Sequence, residues 1–324
     1  MLNKPVILIS SAADAQSTGW NAHNGGCKLY SLWVKLLRQH GYEAYVVTTD
    51  GTGEDWLIEM PPFLSLADAA ALKASGREIR WMTGWLWAKA FLDLVGDDDL
   101  FFFDAELAFT AEAQRGLLER WMPRMACIAT HSRTQQAYYM TRYGITPMYI
   151  PEWSDTAYWT PNDRRRVTGR IGYLDEGDHT ETTVRYVQQR CAEAGLTPEF
   201  VCIRGDERQV LDAMQTCDLY LGLNRGKHPL FGEGCPRGQQ EAQHAGAVVA
   251  AYDVHGNREY LFDGWNGYLV ANGDTDAMAR RVVELLSNHW LRGEMRQRSI
   301  DFATHDFAPE VRWPLVAEFL ELEP

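Results

Sequence analysis

Residues 231–253, FGEGCPRGQQEAQHAGAVVAAYD, run from a glycine-rich acidic loop through a polar segment of helical character into the apolar run VVAAY. Pro236 suits a first helical position, where its missing N–H removes no bond, and Gly246 suits the turn after a helix over 238–245. The order loop, helix, apolar strand is one α/β step. Two glutamates, Glu233 and Glu241, are separated by seven residues: the first falls in the loop and the second about one turn inside the helix. Free N–H groups at such a helix start, with a macrodipole effect of about 0.3–1 kcal/mol, favour a bound phosphate. Carboxylates beside it accept hydrogen bonds from sugar hydroxyls.

The flanking chain repeats this step. Upstream, 169–174, 199–203 and 218–223 read as strands, with helices over 181–194 and 206–216; downstream come a strand over 267–270 and a helix over 275–286. The tail, 293–321, reads as one helix kinked at Pro314. An independent series opens the chain: a strand over 6–10, a loop to Gly25-Gly26, a helix with Leu29, Leu32, Trp33, Leu36 and Leu37 on one face, a cap at Gly41 and a strand over 45–47. Further strands are expected over 79–85, 100–103, 126–130 and 148–151, with a helix over 131–145. The aperiodic stretch 152–166 separates the series. The fold class is α/β, with an N-terminal domain over 1–155, a second over 156–305, and a tail helix over 306–324 returning to the first.

Composition narrows the partners. The 324 residues are 46% hydrophobic and 23% charged, an ordinary globular balance. A formal net charge of -13 repels phosphate backbones and disfavours nucleic acid, including transfer to a modified DNA base. The basic run Arg164-Arg165-Arg166 with Arg170 reads as a solvated linker face. Six cysteines stand singly without a Cys-x-x-Cys pair, which suits reduced thiols in a cytoplasmic setting. Residues 1–10 lack the features of a signal peptide, and no apolar run is long enough to span a bilayer, so at most a peripheral membrane association is expected.

The 231–253 stretch resembles the E-x7-E element of retaining GT-B glycosyltransferases, notably family four (glycosyl transferases group 1). The run 253–270, with Glu259 and the turn 263–267, is similar to the family's continuation; TPMYIPEWSDTAYWTP, 146–161, resembles its interdomain signature, and Gly25-Gly26 its N-terminal glycine pair. The resemblance implies two Rossmann-like domains facing a cleft, and retaining, metal-independent transfer from a nucleotide-sugar, UDP- or GDP-linked, to an unidentified hydroxyl acceptor, with no other cofactor. It implies that Glu233 meets the transferred sugar and Glu241 the ribose. Donor contacts are expected from Gly25, Gly26, Arg204, Arg225, Gly234, Cys235, Pro236, Gly238 and Glu241.

Two departures stand out. Where the family carries an arginine and a lysine early in the second domain, GRIGYLDEGDHTE, 169–181, offers only Arg170, ahead of the apolar run. Lys227 and Arg237, with Arg225, are the substitutes that neutralise the leaving diphosphate, so Glu233, Lys227 and Arg237 form the expected catalytic set. The family's N-domain histidine is not evident; Trp20, His23, Asp104, Glu106 and His131 are the acceptor-side candidates. Nine of twelve tryptophans precede residue 160, among them Trp20, Trp81, Trp85, Trp87 and Trp153, and each is either core or a stacking face for sugar. Alternatives are a metal-dependent GT-A enzyme using Asp104 and Glu106 with Asp97-Asp98-Asp99 nearby, and a non-catalytic nucleotide-sugar-binding protein of the same fold. A Rossmann oxidoreductase lacks its G-x-G-x-x-G.

Overall fold

A computed structural model describes residues 4–10, 25–53, 55–105, 115–225 and 233–323. The chain divides into two compact units, residues 1–153 with 312–324, and residues 154–311.

In the first unit the elements are β1 (Val6–Ser10), α1 (Gly25–Gln39), β2 (Glu43–Thr48), β3 (Phe63–Ser65), α2 (Leu66–Ala74), β4 (Ile79–Thr83), α3 (Lys89–Val95), β5 (Leu100–Asp104), α4 (Arg115–Trp121), β6 (Met125–Thr130), α5 (Arg133–Tyr143) and β7 (Met148–Tyr149). The strands form one parallel sheet in the order β3-β2-β1-β4-β5-β6-β7. Because side chains alternate across a strand, each central strand feeds two cores. Ile7, Ile9, Met82, Phe101 and Phe103 enter one, while Val6, Leu8, Trp81, Leu100 and Phe102 enter the other. Trp33 of α1 anchors the first core against Phe103 at 5.0 Å and Trp153 at 5.3 Å.

The second unit contains β8 (Arg170–Tyr173), α6 (Asp178–Glu193), β9 (Glu199–Cys202), α7 (Glu207–Met214), β10 (Leu219–Gly222), α8 (Arg237–His244), β11 (Val248–Tyr252), β12 (Gly267–Val270), α9 (Thr275–Ser287) and α10 (His289–Asp306). Its parallel sheet runs β12-β11-β10-β8-β9. Ile171, Leu221, Ala250 and Tyr252 share a core with Val187 of α6 and Val282 of α9. Side-chain caps at Asp206, Asp274 and Asn288 begin α7, α9 and α10.

Several elements differ from their sequence reading. The single tail helix is two, α10 and α11 (Pro309–Phe319), because Pro309 disfavours helical geometry in the residue before it and itself suits a helix start. Pro314 lies inside α11, and Phe319 packs on Trp33 at 5.7 Å. β4 stops at Thr83 instead of 85: the Trp85 N–H donates to Thr83 Oγ1 at 3.0 Å and that hydroxyl donates to the Trp85 carbonyl at 3.2 Å, turning the chain. The Arg164–166 run is not merely solvated. Arg165 pairs with Asp212, Arg166 lies 4.0 Å from the buried Asp218, and Arg170, the first residue of β8, pairs with Glu199 at 2.9 Å. Two parallel sheets in two units overturn the metal-dependent GT-A alternative, which has one nucleotide domain. Of its residues, Asp97 sits beside Arg124 and Asp98 pairs with Lys73, while Glu106 lies outside the described residues. No helix among the described residues is long and apolar enough to cross a membrane.

A tight joint in the first unit is Gly84, where an added Cβ would stand 2.5 Å from both the Phe103 carbonyl oxygen and the Tyr30 hydroxyl. Gly84→Ala is expected to lower unfolding free energy by about 1–3 kcal/mol. Gly116→Ala, in α4 with nothing within 4 Å, should raise it by roughly 0.5–1 kcal/mol. Urea unfolding of both variants checks the contrast.

Candidate functional site

In an open parallel sheet, ligands bind beyond the carboxyl ends of the strands where the order reverses. In the second unit that point is between β8 and β10. Leu174, Asp175 and Glu176 follow β8, and Asn224 and Arg225 follow β10. His179 of α6 is fastened there by its Nε2, 2.8 Å from the Leu223 carbonyl. Helix α8 opens at Pro236 with no side-chain cap, so its first N–H groups are not taken by one.

Close backbone approach sets the loop before α8. Glu233 donates its N–H to the Val254 carbonyl at 3.0 Å and accepts from Gly256 N–H at 3.2 Å. A Cβ at Gly256 would stand 1.6 Å from the Gly234 carbonyl oxygen, so only glycine fits. Between them His255 has φ 71 and ψ -52, and the Gly256 N–H reaches the Val254 carbonyl at 2.9 Å, a γ-turn with positive φ. Such a residue stores about 1–3 kcal/mol of strain, held by its surroundings. Gly238 is equally constrained, since a Cβ would meet Leu174 Cδ1 at 2.8 Å and Tyr220 Oη at 2.9 Å. A buried polar network seats the helix: Tyr260 Oη donates to the Pro236 carbonyl at 2.9 Å, and Asn257 Nδ2 donates to Gln239 Oε1 at 3.0 Å.

Around this start stand Glu176, Glu233, Glu241 and Arg237, with Arg225 nearer Tyr252 and Gly273 at the same edge of the sheet. Asn224 Nδ2 donates to Glu233 Oε2 at 3.4 Å. Burial, and then the nearby Glu233 charge, push the Glu176 carboxyl above its ordinary range. Tyr220, fully enclosed, has its hydroxyl pushed well up by burial, with the Glu176 and Glu241 charges adding to it. The Arg225 guanidinium lies 5.4 Å from the Tyr252 ring centroid. Arg237 and Glu241 are both buried and face each other at 3.8 Å.

Of the residues singled out from sequence, Glu233, Gly234, Cys235, Pro236, Arg237, Gly238, Glu241 and Arg225 are therefore gathered at one edge of the second sheet. Glu241, the residue expected at the ribose, is buried within α8 with Oε1 3.8 Å from Arg237 Nε. Arg204 is exposed and pairs with Asp175 at 2.8 Å. Lys227, Trp20, His23 and Glu106 lie outside the described residues. In the first unit Gly25 and Gly26 open α1. Asp104, at the end of β5, is wholly buried and accepts from Tyr139 Oη at 2.6 Å. His131 is buried with Nδ1 3.3 Å from the Asp104 carbonyl oxygen, while its Nε2 is enclosed without a hydrogen-bond partner among the described residues. Sequence reasoning missed Glu176, Asn224 and His255. The acidic Leu174-Asp175-Glu176 run directly after a strand was the available signal for the first.

The raised Glu176 carboxyl has a stability consequence. The folded state keeps a proton that the unfolded chain has released, so its contribution is present below the ordinary carboxylate range and is lost as pH rises through the raised value. Glu176→Gln is expected to raise Tm at neutral pH, the difference from wild type closing as pH falls toward 4. Thermal melts from pH 4 to 8 test this; a difference independent of pH would count against the assigned environment.

Residues 174–288 match the family described as Glycosyl transferases group 1. A Mycobacterium leprae phosphatidyl-myo-inositol mannosyltransferase is 36% identical over 107 residues, which are 32% of this chain and 27% of that protein. The chain thus matches about a quarter of that relative's length. Anabaena HepE, solved with UDP and glucose, is similar in fold with a TM-score of 0.70 at 12% identity, covering 98% of this chain and 99% of that one. Staphylococcus aureus TarM gives 0.73 at 8% identity, covering 98% of each chain. The chain has the GT-B fold, and residues 174–288 of its second unit are similar to glycosyl transferases group 1.

Proposed function

We propose that the chain moves a sugar from a nucleoside-diphosphate sugar, UDP-linked by preference and GDP-linked as the other option, to a hydroxyl acceptor, with retention and without a metal. The observation that carries this reading is Glu233 held by a strained backbone bridge beside the open start of α8, at the reversal point of a parallel sheet. HepE, whose structure contains UDP and glucose, and the mannosyltransferase relative support the donor class.

In the reaction the bond from the sugar's anomeric carbon to the diphosphate oxygen breaks, its electron pair leaving with the diphosphate, while the acceptor's hydroxyl oxygen bonds to that carbon and its proton passes to the departing diphosphate. Positive charge develops on the sugar ring and negative charge on the leaving group. The α8 N–H groups and Arg225 are placed to stabilise the latter, with Arg237 held for the same task by Glu241. Glu233 accepts hydrogen bonds from the transferred sugar's hydroxyls and orients its anomeric carbon. Retention and metal independence rest on the family resemblance and on this supply of cations and amides. Lys227 joins that supply, and Gly25 and Gly26 give backbone access at α1, as the resemblance implies. An intracellular, cytoplasmic setting belongs to the same reading.

One observation favours a non-catalytic binding protein instead: the loop after β8 presents Asp175 and Glu176 where relatives carry cations. Turnover separates the two readings. UDP-glucose, UDP-N-acetylglucosamine and GDP-mannose are assayed with purified protein for thermal stabilisation and nucleotide release. A ligand at one hundred times its Kd stabilises by about 2.7 kcal/mol. Glu233→Ala is expected to cut release at least about 10²-fold while UDP still stabilises the protein. Unchanged release would refute the role of Glu233, and stabilisation without any release would favour the binding protein.

A further inference from the structure

The tryptophans crowded into the first part of the chain separate into two groups. Trp33, Trp81, Trp153 and Trp159 are enclosed in cores, as their hydrophobic area demands. Trp85 and Trp87 are different. They lie in the loop between β4 and α3, where burial alternates residue by residue: Leu86 and Ala88 are buried at 1% and 7% exposure, whereas Trp85 is half-buried and Trp87 is 38% exposed. The segment is a turn, closed by the Ala88 N–H on the Trp85 carbonyl at 3.2 Å; it sends Leu86 and Ala88 inward and leaves the Trp87 indole on the outer side, with part of the Trp85 ring beside it and the Trp85 Nε1 enclosed. Their rings stand edge to face, with centroids 5.2 Å apart and planes at 89°.

The loop is fixed at both ends. Gly84 is wedged between the Phe103 carbonyl and the Tyr30 hydroxyl, and the Thr83 hydroxyl and Trp85 main chain close a turn. At the far end Lys89 N–H donates to the Trp87 carbonyl at 2.7 Å. The position is also selective. β4 lies beside β1 where the order of the first sheet reverses, and the loop leaves the carboxyl end of β4, the edge at which α/β sheets take ligands.

We infer that Trp85 and Trp87 form a stacking platform for the apolar face of a neutral pyranose, a carbohydrate subsite on the first unit. The choice of a sugar rests on the glycosyl-transfer reading above; the choice of a neutral ligand rests on charge. Lys89 pairs with Asp93, Lys73 pairs with Asp98, and the chain carries a formal net charge of -13, a balance that disfavours an anionic lipid surface or a nucleic acid. The C–H groups of a pyranose face meet the negative face of an indole, and a rigid pair of indoles loses little freedom on binding.

Saturation-transfer NMR on the full chain with methyl α-D-glucopyranoside, methyl α-D-mannopyranoside and methyl β-D-galactopyranoside tests the platform. At least one is expected to receive transfer on its ring protons. That signal should fall at least fivefold in Trp87→Ala and in Trp85→Ala, and be largely kept in Trp87→Phe. An unchanged Tm and unchanged stabilisation by UDP in Trp87→Ala show that the fold and the second unit are intact. Absence of transfer to all three sugars, or equal transfer in Trp87→Ala, overturns the assignment. So does sedimentation with phosphatidylglycerol vesicles that depends on Trp87 while the sugars give no signal. If no nucleotide-sugar stabilises the wild type, the glycosyl-transfer reading fails separately, and the sugar signal still decides the platform.

Discussion

The second unit depends on one steric constraint, the approach of the loop before α8 to the γ-turn after β11. Gly256 meets the Gly234 carbonyl at a distance no side chain tolerates, and His255 accepts a backbone conformation that costs free energy on its own. What offsets that cost is the pair of main-chain bonds to Glu233 and the seating of α8 through Tyr260, Asn257 and Gln239. The same contacts fix the direction of α8. Its start is pinned over Leu174 and Tyr220, and Gly238 allows it to sit that close. The helix start is consequently preorganised by residues 233–238 and their partners.

Charge in the site is arranged as economically. Arg237 is buried, and a buried guanidinium without a partner is costly, so Glu241 one turn on is its natural neighbour. Elsewhere in the unit the same logic applies: Asp218, buried at the base of β10, is met by Arg292 at 3.1 Å and by the Gly169 N–H at 3.0 Å. Glu176 instead has its carboxyl pushed above the ordinary range, by burial first and then by the Glu233 and Asp175 charges.

Legibility in the sequence followed how local each signal was. β11, bounded by glycine and made of small apolar residues, is visible from 248 to 252 alone, and α1 from the spacing of Leu29, Trp33, Leu36 and Leu37. The stretch around 54–125 was blurred because α2 is rich in alanine and α3 and α4 have seven residues each, too few for a clear period. The break between α10 and α11 is not legible from proline alone, because Pro314 is accommodated inside α11 while Pro309 starts it. Glu233 and its loop were readable because they share one short motif. Glu176 was not, because it joins the site only through the β10-β8 pairing, a long-range fact that no window on the sequence contains. The sorting of tryptophans had the same cause: Trp81 and Trp87 lie six residues apart, and only the turn that begins at Thr83 and Gly84 leaves the first buried and the second exposed.

On the proposed reading, the acidic loop after β8 also shapes how donor and proton act on each other. A diphosphate placed at the α8 start adds negative charge near a carboxyl already disposed to be neutral, so ligand occupancy strengthens proton binding at Glu176. Linkage is reciprocal, and protonation of Glu176 must therefore strengthen ligand binding by the same factor. The family resemblance implies cations in this loop, and fixed cations attract a diphosphate at every pH. Here burial raises the proton affinity of Glu176 in their place, so on this reading attraction for a diphosphate grows as pH falls.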